Sequence, residues 1–381
     1  MSPSIETNMS PGLYLHIPFC KSRCSYCDFA TDILVKESAV DRYIHAICAE
    51  IDRFESTLEH ASPDSIYLGG GTPSLLTPSQ LEALLERLNQ KFDISSTPEI
   101  TIEINPGSAD VDRFRDYRSL GVNRASFGVQ TFNEDSLRLL ARGHDVKDVF
   151  RTFDALTKSG FENISLDLIA GLPGQTMKEW EKNITEAVAF DIQHISLYLL
   201  EIHEGTPLKE QIRSGRRPMP DDELAAEMYE VMIDRLCTDG FLQYEISNFA
   251  RPGFEARHNM KYWTCEPVHA FGVSAHSFDG KIRRANVRDT SEYVRRIEAG
   301  ESPCSESTEI DLASEAAFLG LRLTSGLDRE AFKKRFGVDL EMQYSAAIAS
   351  ARSKVLLYSD GNIRLTRKGM LFSNEVFEIF V

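Results

Sequence analysis

Leu13-Tyr14-Leu15-His16-Ile17-Pro18-Phe19-Cys20-Lys21-Ser22-Arg23-Cys24-Ser25-Tyr26-Cys27-Asp28-Phe29 opens on a short apolar run and closes on three cysteines. The run Leu13–Ile17 reads as a strand buried on both faces, and the cysteines follow it in the spacing C-x3-C-x2-C. Thiolates are the usual ligands of iron–sulfur clusters, and three of them on a four-iron cube leave one iron open to bind something else. The alternatives are unrelated buried thiols or a zinc site. Zinc normally takes four ligands, commonly as two separated pairs, and the chain has no partner pair. Cys48, Cys237, Cys265 and Cys304 are scattered, and an odd total of seven fits a reducing compartment and a metal use better than a disulfide framework.

Outward from this stretch, short β-rich runs alternate with amphipathic stretches of helical period as far as about residue 250. Leu13–Ile17, Ser65–Leu68, Glu99–Ile104, Arg124–Val129, Asn163–Ile169 and His194–Leu200 are the strand candidates, implying six parallel strands in βα units. Thr77 and Gln80 form a capping box with Pro78 in the first turn of a helix carrying Leu81, Leu84, Leu85 and Leu88, and Thr176 and Glu179 repeat the spacing. Six βα units at this length predict an α/β fold, an incomplete parallel barrel of (β/α)6 type. A length of 381 residues with 42% hydrophobic content supports one large core and a smaller one. Residues 13–300 are therefore read as the barrel, after an N-terminal segment 1–12. The polar stretch Glu301–Glu309 reads as a linker. Residues 301–381 then form a second module: helices over Ala313–Leu323, Arg329–Phe336 and Glu341–Ser353, a strand Asn362–Leu365, a turn Thr366–Gly369 and a last helix predict a winged-helix-like α+β domain.

A net charge of −16 argues against a broad electrostatic grip on nucleic acid or anionic lipid. Met1 to Gly12 lacks a signal pattern and no apolar run reaches the ~18 residues of a membrane span, so a cytoplasmic protein is expected. Gly69-Gly70-Gly71-Thr72-Pro73 follows the second strand, where backbone can approach a ligand. Glu103, Gln130 and Asp167 lie in or at the end of three successive strands, so their side chains can converge at the carboxyl-terminal mouth.

At its cysteines the chain resembles the radical S-adenosylmethionine superfamily. The letters around them, Tyr14-x-His16-Ile17-Pro18-Phe19-Cys20 and Cys27-Asp28-Phe29, resemble the branch that contains oxygen-independent coproporphyrinogen III oxidases and haem chaperones. The resemblance implies a 4Fe-4S cluster on Cys20, Cys24 and Cys27, with S-adenosylmethionine on its open iron. It assigns Tyr14, Tyr26, Gly70, Gly71, Thr72, Glu103, Gln130, Arg142 and Asp167 to the S-adenosylmethionine pocket. The oxidase carries a fourth cysteine two residues after the third, where this chain has Phe29, and a longer amino-terminal extension. Arg257-His258-Asn259-Met260-Lys261-Tyr262-Trp263 instead contains the H-N-x-x-Y-W run of the chaperones, which implies haem as a third cofactor, held by His258, Tyr262 and Trp263. A packed aromatic segment with a hydrogen-bonded histidine is the other reading of that run. The expected function is thus a haem chaperone serving respiratory proteins, with an electron donor for the cluster, membrane partners without a membrane segment of its own, and a role open for the cluster in homodimerisation or gating. The competing expectation is an enzyme that oxidatively decarboxylates coproporphyrinogen III.

Overall fold

The computed structural model describes residues 10–55, 62–354 and 356–380; most of the N-terminal segment thus lies outside the described residues. All six expected strands are present: β1 (Gly12–Ile17), β2 (Ser65–Gly70), β3 (Glu99–Ile104), β4 (Arg124–Gln130), β5 (Asn163–Ala170) and β6 (His194–Leu199). Each alternates within its apparently apolar run. Leu13, Leu15 and Ile17, Ile66 and Leu68, Ile100, Ile102 and Ile104, Ala125, Phe127 and Val129 all join the main core cluster. The intervening positions, among them Tyr14, Tyr67, Glu103, Arg124 and Asp167, share the other face, and Tyr67 reaches Glu103 across it.

The remaining strands are β7 (Leu242–Glu245), β8 (Asn248–Ala250), β9 (Val268–Phe271), β10 (His276–Phe278), β11 (Ile282–Asn286) and β12 (Cys304–Glu309). They extend one sheet in the order β12-β11-β10-β9-β1-β2-β3-β4-β5-β6-β8-β7, whose two ends do not pair with each other. The fold is therefore an open α/β barrel, as expected, but β9 also runs parallel to β1, giving a seventh parallel strand. Immediately after this strand the chain turns, with Gly272 at φ +105° and Ser274 at φ +55°. Residues 304–309, expected as linker, are edge strand β12 paired with β11. Its mostly exposed side chains leave no apolar alternation to read, and its glutamates suit an edge that must not recruit further strands.

Both expected capping boxes form, Thr77 with Gln80 and Thr176 with Glu179. The carboxyl-terminal module has its own core and an antiparallel sheet in the order Leu327–Asp328, Asn362–Leu365, Leu357–Asp360, a winged-helix-like arrangement. Its first helix gives way to a 3-10 turn at Gly320–Arg322, its third is interrupted at Tyr344, and Thr366 caps a helix rather than a turn. The module is stitched to β7 and to the residues just after it: Ile246 N donates to Arg322 O at 3.1 Å and Thr324 N to Tyr244 O at 3.1 Å.

Just past the paired residues of β1 and β9, a buried hydroxyl joins the two segments. Tyr43 OH donates to His16 O at 2.8 Å and accepts from Val273 N at 2.9 Å. Tyr43→Phe leaves two buried backbone groups unmatched, an expected loss of roughly 1–3 kcal/mol in unfolding free energy. A urea midpoint equal to that of the unaltered protein would mean the hydroxyl contributes nothing.

Candidate cofactor site at the barrel mouth

Beyond β1 the chain runs through the short strand Phe19–Cys20, which pairs in parallel with Asp32–Ile33 and so closes residues 21–31 into a loop. The loop is pinned from below: Ser25 N donates to Leu140 O at 2.8 Å, and the His16 ring meets Ala30 O at 2.9 Å. Cys20, Cys24 and Cys27 are all free and half-buried on it. Thr72 Oγ1 lies 3.4 Å from Cys20 Sγ and Arg142 Nη1 3.5 Å from Cys24 Sγ. Burial pushes the Cys20 thiol up to about 11, against the Thr72 hydrogen bond, and raises that of Cys27. Among the described residues no three His, Cys, Asp or Glu side chains gather tightly enough for a single metal ion.

The cysteines open onto a cavity of about 490 Å³ that reaches down to Ser126 and across to Ser247. Of the nine positions expected around S-adenosylmethionine, Tyr26, Gly70, Gly71, Glu103, Gln130, Arg142 and Asp167 line it. Tyr14 lies beside Tyr67, ring centroids 6.1 Å apart, and Thr72 faces Cys20; neither is part of the lining. The glycines answer first to packing. A Cβ on Gly71 would stand 2.7 Å from the Pro18 carbonyl, and one on Gly70, at φ +111°, 2.6 Å from the His16 ring, so the β2 turn must be glycine to lie against the cysteine loop.

Arg142, at the end of a short helix, is locked by Asn105 Oδ1 and Gly128 O, each at 2.6 Å. Asn105 in turn donates to Thr72 Oγ1 at 2.9 Å, completing a chain from Arg142 to Cys20. Asn105 was missed by sequence reading, although its offset of two from Glu103 puts it on the same face. Tyr198, which also lines the cavity, has the same signal on β6. Glu103 accepts from Tyr67 OH at 2.8 Å and Gly70 N at 3.0 Å, yet burial still raises its pKa. Asp167 is pushed up to about 7, chiefly by burial, and its Oδ1 is buried without a partner. An orphaned carboxylate oxygen beside a polar cavity suits a ligand that carries a cation or hydroxyls.

The structure does not bring His258, Tyr262 and Trp263 to the cysteine loop as a group. The helix Arg257–Trp263 sits at the amino-terminal ends of the strands, where its first backbone N–H groups, on Arg257 and His258, donate to Glu99, both at 3.0 Å. His258 is 1% exposed. Its Nδ1 meets Ser65 Oγ at 3.0 Å, its Nε2 meets Tyr262 OH at 3.1 Å, and Tyr67 stacks on it at 5.2 Å. Burial first, then Lys261 and Arg124, hold its pKa down to about 3. Lys261 anchors the same helix from a buried position through Asp64 at 2.7 Å and Glu266 at 3.1 Å. In this conformation neither ring nitrogen is free for iron. A second cavity, about 500 Å³ and lined by Phe54, His269 and Arg284 among others, holds none of the three cysteines.

The family model described as "Radical SAM superfamily" matches residues 14–187, and "HemN C-terminal domain" matches residues 307–372. The chain is 37% identical over 375 residues to "Heme chaperone HemW" of Bacillus subtilis, covering 97% of this chain and 98% of that one. It is 36% identical over 373 residues to the protein of that name from Lactococcus lactis, covering 97% and 96%. Among solved structures, coproporphyrinogen III oxidase (HemN) from Escherichia coli superposes with a TM-score of 0.86 at 22% identity, covering 99% of this chain and 91% of that one; the likeness is one of fold.

His258→Ala removes two buried hydrogen bonds and a stacked ring, so it is expected to cost roughly 2–4 kcal/mol of stability, measured by urea unfolding without haem. Unchanged stability with lost haem binding would instead favour direct ligation by the imidazole.

Proposed function

Because this chain belongs to the radical S-adenosylmethionine superfamily, in the branch of the haem chaperone HemW, we propose that it is a haem chaperone. It binds haem and passes it to haem-requiring proteins, respiratory ones among them, on a barrel that carries a 4Fe-4S cluster and S-adenosylmethionine. The observation that carries this reading is 37% identity across nearly the whole of a relative bearing that name. Phe29, in the position of the oxidase's fourth cysteine, agrees with it.

In this reading Cys20, Cys24 and Cys27 hold the cluster. Three cysteines with no partner pair favour an iron–sulfur cluster over a four-ligand zinc site. When bound, the cluster and S-adenosylmethionine supply one-electron chemistry. The chain's own residues position and balance charge. Thr72 and Arg142 donate toward thiolate sulfur, Gly70 and Gly71 let ligand meet backbone, and Tyr26, Glu103, Gln130 and Asp167 surround the cavity. Tyr14 supports the site from beside Tyr67. An electron donor, membrane partners and a homodimer belong to the same reading, and no helix among the described residues is long and apolar enough to cross a membrane.

Asp167 gives the site a pH signature. Its ionised form meets a cationic ligand, and with its pKa raised to about 7 that form is incomplete near neutrality. Glu103 opposes its ionisation, and Arg124 and Arg142 favour it. Affinity for S-adenosylmethionine is expected to climb from about pH 6 to about pH 8, and Asp167→Asn should flatten the rise. The unfolded chain releases this proton near pH ~4, so the ligand-free fold should lose stability as pH rises from about 4 to about 7 and level off above that. A pH-independent affinity in the unaltered protein would refute this role.

The oxidase reading is kept by the fold it shares with HemN. Anaerobic haem titration of the cluster-reconstituted protein, with product analysis on coproporphyrinogen III in the same preparation, separates the two. Stoichiometric haem binding without porphyrinogen conversion is expected; turnover without haem binding would make the protein an oxidase. Cys24→Ser should abolish the cluster's visible absorbance, and a full iron content in that variant would remove Cys24 from the ligands.

A further inference from the structure

The cavity's cysteine side and its far side differ in how their cations are used. Arg23 donates to Cys27 O at 3.4 Å, and Arg142 is committed to Asn105 and Gly128. Arg322 comes from the carboxyl-terminal module and lines the cavity near Ser247 and Tyr198. Its backbone is fixed to the barrel, since Ile246 N donates to its carbonyl and Glu245 bridges to Leu323. Its guanidinium lies 4.2 Å over the Trp263 ring, which sets its plane. The one side-chain hydrogen bond described for it, from Nη2 to Glu245 Oε2, is long at 3.4 Å, and its Nε is buried without a partner. Glu245 is fully buried, and its other oxygen is taken by Ser247 N and Asn248. A guanidinium has five N–H donors in a rigid fork suited to carboxylates, and most of these are unused.

We propose that Arg322 is the carboxylate anchor of the mouth cavity, presenting its spare donors to an acidic side chain of the ligand. The assignment of that carboxylate to a tetrapyrrole propionate rests on the haem reading above. Trp263 acts here as a positioning residue: its ring holds the guanidinium in one plane while Glu245 holds its edge. Lining carboxylates at Asp28, Glu103, Asp167 and Glu201 repel an acid elsewhere, so the anchor also orients the ligand.

The test compares haem with its dimethyl ester by absorbance titration of the full-length, cluster-reconstituted protein, in unaltered form and as Arg322→Gln and Arg322→Lys. The unaltered protein should prefer the diacid by about tenfold or more. Arg322→Gln should erase that preference by weakening diacid binding alone, with Arg322→Lys in between because it keeps charge but loses the fork. S-adenosylmethionine affinity should stay unchanged. Equal weakening of both porphyrins, or a fall in thermal stability with the preference intact, would make Arg322 only a bolt between module and barrel and overturn the proposal. Loss of S-adenosylmethionine affinity with the preference intact would assign the anchor to the cosubstrate's carboxylate and overturn the tetrapyrrole assignment. If Arg322→Gln does not fold, the unaltered protein still decides, because equal affinity for diacid and ester there is fatal. Binding of neither porphyrin would strike down the haem reading itself, a different result from either.

Discussion

Everything in the barrel depends on keeping charge inside a wall of aliphatic side chains. Alternate positions of each strand point outward into one hydrophobic core, leaving Glu103, Asp167 and Arg124 to share the interior. Arg124 is 1% exposed, and its charge favours ionisation of both carboxylates. Burial nevertheless wins, and both stand above their ordinary pKa values. Isolated ions in such an interior would cost several kcal/mol each, so the set survives only as a mutually compensating group with room for a polar ligand.

That interior has one sealed end and one open end. The seal is the helix Arg257–Trp263, and its strength comes from buried polar contacts: Glu99 on the helix amino terminus, Ser65 and Tyr262 on His258, Asp64 and Glu266 on Lys261. The lateral gap left by the incomplete barrel faces the carboxyl-terminal module, whose residues 322–324 bond to the β7 side. Plug, module and barrel therefore form one continuous wall, and the open end is the one bearing the cysteines.

Local chemistry was legible in the sequence, and assembly was not. Six strands, two capping boxes and the cysteine loop follow from neighbours within a few residues of one another. Strand β12 was illegible because its side chains are mostly exposed and show no apolar alternation. The break at Tyr344 divides what reads as one continuous helix. Glu103 and Asp167 were found because strand ends announce the mouth, whereas Arg322 had no signal at all: it is 180 residues from Arg142 in sequence and enters the cavity only through tertiary docking.

The H-N-x-x-Y-W run lies on the helix that seals the amino-terminal end of the barrel. Its spacing puts His258 and Tyr262 one turn apart on a helix, and the structure uses that to hydrogen-bond one to the other rather than to present both to a ligand. A ligand at the mouth and a histidine at the sealed end cannot meet unless the plug withdraws, which would break the Lys261 ion pairs and uncap the helix at Glu99. Trp263, one residue beyond Tyr262, is the member of the run that communicates with the cavity, because Arg322 lies on its ring. The motif's aromatic end thus touches a residue of the cavity wall without leaving the seal.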